Sequence, residues 1–116
     1  MYSDLEITFK SRKLAKQCNS RQAAQKKWGT MQGNKVLQRL NEMRAADTLA
    51  DLGKLKYLRL HPLVGDRRGQ WSVDVIHPYR LLFVPTNEPL PLKPDGSVDE
   101  AQVTAVEVQG VEDTHG

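Results

Sequence analysis

Residues 58–75 read LRLHPLVGDRRGQWSVDV. Leu58, Leu60 and Pro62 alternate with Arg59, His61 and Leu63. A period of two is the mark of a strand with one face buried. Gly65 to Gly69 then encloses a basic turn, and Trp71, Val73 and Val75 alternate with Ser72 and Asp74. Two alternating runs around a glycine-bounded turn predict an antiparallel pair. His77-Pro78 makes a second turn. Tyr79 to Val84 follows as a third strand, with Tyr79, Leu81 and Phe83 opposite Arg80, Leu82 and Val84. This part of the chain therefore reads as a meander.

Upstream the period changes. Leu5, Ile7 and Phe9 alternate with Glu6 and Thr8, which predicts one short strand. Ser11 offers an N-cap to a helix containing Leu14, Ala15 and Cys18. Asn19-Ser20 breaks that helix and offers a second cap, from which Arg21 to Trp28 continues helically. Gly29 and Gly33 predict a loop or bend. Lys35 to Ala46 carries Val36, Leu37, Leu40 and Met43 at helical spacing, the buried stripe of a strong helix. Asp47 is the expected cap of a short turn, Thr48 to Leu52, ended by Gly53. Downstream, Pro85 to Glu100 holds four prolines and a Pro-Asp-Gly turn and reads as a long loop. Val103 to Val108 is the last expected strand. The order strand, helices, strands predicts a single α+β domain over residues 1–116, with helices on one face of a mostly antiparallel sheet.

The chain has 116 residues, of which 39% are hydrophobic and 27% charged, an ordinary composition for one globular domain. No apolar run approaches the roughly 20 residues that span a bilayer. The start, MYSDLEITFK, lacks a basic-then-apolar signal pattern. Cys18 is the single cysteine, which excludes an internal disulfide. The expected location is the cytoplasm. Charge is unevenly placed. Residues 1–60 hold thirteen Lys+Arg against five Asp+Glu, and residues 61–116 hold four against nine. A basic helical half suits either a polyanion partner or a solvated lysine-rich surface.

Several residues could do chemistry. Imidazole moves protons near neutral pH, and His61 sits mid-strand on the face away from Leu58 and Leu60. It reads either as a site residue or as a structural histidine. Arg67 and Arg68, with Asp66, occupy the turn, where a planar guanidinium could meet phosphate oxygens or simply be solvated. Arg80 is a charge within an apolar strand and needs a partner or a pocket. Asp74 on the neighbouring strand could pair with it. Asp113 and His115 lie near the C-terminus and read as exposed unless the last strand runs beside Arg80. His77 reads as a turn residue. There is no HExxH, CxxC, phosphate-binding glycine loop or Gly-x-Ser-x-Gly, and no metal or cofactor is expected. No helix-turn-helix pattern is evident.

The run LRLHPLVGDRRGQWSVDV, followed by PYRLLF and then VTAVEVQGVEDTHG, resembles the HigB branch of the RelE-like toxins of type II toxin–antitoxin systems. The N-terminal ITF and SRKLAKQ fit the same resemblance. It implies a small sheet with two N-terminal helices packed on one face. It implies an endoribonuclease that cleaves messenger RNA on the ribosome and is held inactive by a cognate antitoxin, expected to be of helix-turn-helix type and to carry any contact with operator DNA. Catalytic roles would fall to His61, Arg80, Asp113 and His115. Phosphate contacts would fall to Arg59, Arg67 and Arg68, and to Lys26, Lys27 and Lys35 on the helices. Thr114 stands where the family usually has tyrosine, and Val64 where lysine is common. Those departures leave room for a non-catalytic RNA- or partner-binding member of the same fold. A DNA-binding regulator is a third reading, which the missing helix-turn-helix disfavours.

Overall fold

The computed structural model describes residues 4–114. Strand β1 (Glu6–Phe9) leads into helices α1 (Arg12–Cys18), α2 (Arg21–Trp28), α3 (Thr30–Ala45) and the single-turn α4 (Leu49–Gly53). The sheet is completed by β2 (His61–Pro62), β3 (Trp71–Asp74), β4 (Tyr79–Pro85) and β5 (Ala105–Asp113). Strand order is β1-β5-β4-β3-β2, antiparallel throughout except for the parallel β1–β5 pair. The α+β architecture read from the sequence is present, with the helical layer divided into four pieces. No helix among the described residues is long and apolar enough to cross a membrane.

Helix starts follow side-chain chemistry. The Ser11 and Ser20 hydroxyls accept from the backbone N–H groups of Leu14 and Ala23, at 3.1 and 3.0 Å. These bonds satisfy donors that a helix N-terminus leaves open. Thr48, rather than the expected Asp47, caps α4 by accepting from Asp51 at 3.2 Å. Gly29 does break the chain, at φ +88. Gly33 does not: it is buried within α3. A Cβ there would lie 2.7 Å from the Ala24 carbonyl carbon and oxygen and 2.8 Å from the Gln25 nitrogen. Gly33 is the residue that lets α2 and α3 lie backbone to backbone.

On α3, Val36, Leu40 and Met43 are wholly buried. They meet Trp71 and Val73 of β3, Leu81 and Phe83 of β4, and Val106 and Val108 of β5 in one core. These strand residues share one face of the sheet, as the alternation predicted. Burying each large aliphatic or aromatic side chain contributes about 1.5–3 kcal/mol. Two polar side chains of α3 also reach the β3–β4 turn. Gln32 both accepts from the Ile76 N–H at 2.9 Å and donates to the Ile76 carbonyl at 3.3 Å. Arg39, buried, donates to the Asp74 carbonyl at 2.7 Å.

The first strand of the quoted stretch is much shorter than its alternation suggests. Lys56–Leu58 is a 3-10 turn, and Arg59 adopts a left-handed conformation at φ +53. Leu58 and Leu60 still pack into the core, but only His61 and Pro62 pair with β3. The expected basic turn is a short 3-10 segment, Gly65–Arg67. Between Pro85 and Glu100 the chain is irregular, apart from a Leu92–Val98 bridge. β5 runs to Asp113, five residues beyond the expected Val108.

Candidate functional site

The face of the sheet turned from the helices carries a polar row set by strand register. Ser72 pairs with His61 on one side and Leu82 on the other. Asp74 pairs with Arg80, which pairs in turn with Glu112. Because alternate residues share a face, His61, Ser72, Asp74, Arg80 and Glu112 come together there. Arg80 is 9% exposed, so its charge needs partners. Its Nη1 lies 3.3 Å from Asp74 Oδ1, 3.4 Å from Ser72 Oγ and 3.1 Å from His61 Nε2.

The same contacts fix the imidazole. His61 Nδ1 lies 2.9 Å from the Arg59 carbonyl oxygen, an acceptor, so the hydrogen-bond network assigns the proton to Nδ1. Nε2 is then the ring nitrogen without a proton, and Arg80 Nη1 lies against the ring, 3.1 Å from Nε2 and 3.3 Å from Nδ1. The left-handed turn at Arg59 supplies that carbonyl. Arg59 also closes the other side of the row, with Nε 3.2 Å from Asp74 Oδ2. Asp74 therefore bridges two arginines, one buried and one whose side chain is 69% exposed. From α3, Arg39 holds the backbone of the same aspartate. The Arg39 Nη1 bonds Glu42 at 2.8 Å, and the Tyr57 hydroxyl donates to Glu42 at 2.7 Å. Burial pushes the Glu42 carboxyl up, but these donors outweigh it and hold the pKa below the usual value. The bond to Glu42 pushes the Tyr57 hydroxyl up.

The other expected site residues are dispersed. Arg67 reaches across to Glu112 at 2.7 Å and to Gln70 at 3.4 Å, which lays the 65–70 segment along the rim of the row. Arg68, next in the chain, is exposed. Asp113 ends β5 opposite Tyr79, and Glu112 rather than Asp113 is the carboxylate opposite Arg80. His115 lies outside the described residues. Lys26 and Lys27 are exposed in the last turn of α2, and Lys35 on α3 bonds Gln38 at 3.3 Å. Lys27 lines a cleft of about 310 Å³ with Lys10, Lys13, Trp28 and the end of β5. The helix lysines and the arginine row thus form two basic regions, and among the described residues only the second contains a histidine. Ser72 and Glu112 were not singled out from sequence. Gly110 inside an otherwise regular strand was the available signal for the second.

A five-stranded, mostly antiparallel sheet with helices on one face and a histidine–arginine pair on the other is compatible with the RelE-like class. No family model matches the chain. Among curated proteins, it is 42% identical over 48 residues to a protein named Endoribonuclease HigB from Proteus vulgaris. The match covers 39% of this chain and 52% of that protein. The chain thus spans about half the length of the curated relative it matches, and over that stretch it is HigB-like.

Proposed function

We propose that this protein is a ribosome-dependent messenger RNA endonuclease, the toxin of a type II toxin–antitoxin pair, acting in the cytoplasm. The contact between His61 Nε2 and Arg80 Nη1, at 3.1 Å within the part-buried polar row, is the observation that carries it. RNA can be cut by its own 2′-hydroxyl, which attacks the adjacent phosphorus and expels the 5′ oxygen. That reaction needs a base, an acid and positive charge on the phosphorane. With Nδ1–H held by the Arg59 carbonyl, Nε2 of His61 is oriented to exchange a proton. Arg80, against the imidazole, stabilises the charge that develops on the phosphate. Arg67, Arg68 and Arg59 at the rim hold neighbouring phosphates. His115 and Asp113 supply the second proton-transfer function and its orientation. A cognate antitoxin of helix-turn-helix type and the ribosome are the proposed partners.

The test is induced expression of the wild type, His61→Ala, Arg80→Ala and His115→Ala, with transcripts mapped by primer extension. Growth arrest with transcript cleavage is expected for the wild type. Loss of each proton-transfer or charge-stabilising side chain should slow cleavage by about 10²–10⁴-fold. A wild type that leaves transcripts intact, or His61→Ala and Arg80→Ala variants that cleave at the wild-type rate, would sink the enzymatic reading. An intact-transcript result combined with RNA binding would establish the non-catalytic alternative.

A further inference from the structure

Arg39 stands on the buried face of α3, beside Val36, Leu40 and Met43, and is 7% exposed. Taking a charge out of water is costly, and core packing alone would favour a hydrophobic residue there. Its bonds show what the guanidinium holds instead. Nε donates to the Asp74 carbonyl at 2.7 Å, Nη1 meets Glu42 at 2.8 Å, and the guanidinium carbon lies 5.5 Å from the centre of the Tyr57 ring. Asp74 is thus held at two points. Its carbonyl is tied to the helical layer, while its carboxylate lies 3.3 Å from Arg80 and 3.2 Å from Arg59. Arg80 stands directly opposite Asp74 in β4. Seven residues before Arg39, Gln32 makes both its bonds to the Ile76 backbone. Gln32 therefore holds the same turn without touching Asp74.

We propose that Arg39 is a positioning residue for the arginine row. By fixing the backbone of Asp74 it sets where the carboxylate stands, and the carboxylate sets where Arg80 stands against His61. The inference deepens the endoribonuclease reading and rests on it for its kinetic consequences. A guanidinium that meets charge developing on a phosphate acts best when it is held in place beforehand. A displacement of about 1 Å at such a group costs up to about 100-fold in rate, even when its cause lies far from the reacting atoms. Arg39 belongs to the helical layer and touches neither Arg80 nor His61, so its effect must pass through Asp74.

The test uses the purified chain with ribosomes programmed by a synthetic message, at a temperature where circular dichroism shows every variant folded. Cleavage kcat and KM are measured for the wild type, Arg39→Met, Asp74→Ala, the double variant and Gln32→Leu. Asp74→Ala keeps the carbonyl that Arg39 holds and removes the carboxylate. Arg39→Met should lower kcat roughly 10- to 100-fold, with KM within about twofold. In the Asp74→Ala background the same substitution should cost less than about twofold, because no carboxylate is left to position. Gln32→Leu loosens the turn alone and should keep kcat within about twofold of wild type. A second readout needs no activity: the imidazole nitrogen signals of His61 by NMR. Arg39→Met and Asp74→Ala should each move them more than Gln32→Leu does, and the double variant no further than Asp74→Ala. If Arg39→Met leaves the His61 signals or a measurable wild-type kcat unchanged, or if its loss adds in full to that of Asp74→Ala, the positioning role is refuted and the endoribonuclease reading stands. If the wild type cleaves no message, that reading falls, and the His61 signals alone decide whether Arg39 positions the row.

Discussion

Replacing Gly33 by alanine sets two expectations of opposite sign against each other. A helix-interior glycine is about 1 kcal/mol worse than alanine, so if Gly33 served only to loosen the chain, Gly33→Ala would stabilise the fold. The structure predicts the reverse. The new Cβ would sit 2.7 Å from the Ala24 carbonyl carbon and oxygen, where non-bonded carbons prefer about 3.5–4.0 Å. The obstacle is backbone, which has no rotamer to give, so α2 and α3 must part by about 1 Å. Overpacking of that kind costs about 1–3 kcal/mol. Set against the propensity gain, the expected net loss is about 0–2 kcal/mol, or a Tm lower by up to about 8 °C. Gly53→Ala is the control, because its nearest neighbour is a flexible Leu60 methyl at 3.4 Å. That variant should be neutral or slightly stabilised. Urea unfolding of both variants measures the difference, and a Gly33→Ala protein more stable than wild type would refute the close-approach account.

Two further outcomes are expected. The folded-state pKa of Glu42 is held below the usual 4.5, so its contribution is present above that pH and is lost as pH falls through the lower folded value. Tyr57→Phe removes one of the donors holding it down, and urea midpoints at about pH 6 and about pH 3.5 should show a smaller acid-induced drop in that variant than in wild type; an unchanged drop would dissociate Tyr57 from the Glu42 carboxylate. Burial pushes the Cys18 thiol up to about 11, with Arg44 opposing. At about pH 8 a thiol reagent should therefore leave the native protein unlabelled and modify it on unfolding, and rapid labelling of the native state would contradict the buried placement.

The sheet face and the helix stripe were legible because each rests on local periodicity. Trp71, Val73, Leu81 and Phe83 show their face in any register. The pairing of Arg80 with Asp74, weighed as one of two uses for a charge in an apolar strand, was legible from cost alone. Other features depend on contacts distant in sequence. Gly33 looks like a helix breaker until Ala24 is placed against it. The Leu58–Leu63 alternation looks like a strand because Leu58 and Leu60 are both apolar, yet a left-handed Arg59 delivers them to the core by a turn. The clearest case is β5. Its register shifts between Leu82 and Phe83 of β4, where Gly110 and Val108 are the partners and Gln109 is extra. One added residue reverses which side chains face the helices. Val106 and Val108 face inward before it and Val111 after it. A regular strand would have set Val111 beside Arg80; the bulge sets Glu112 there.

The placement of β5 also orders events in time. β5, the last of the described strands, lies between β1 and β4, and β1 must wait for it: Glu6 pairs with Ala105 and Phe9 with Val108. Such distant pairing makes closure late and slow. Glu112, which anchors Arg67 at the rim, arrives with the same strand. During synthesis, the arginine row is therefore incomplete until residues 105–113 have emerged.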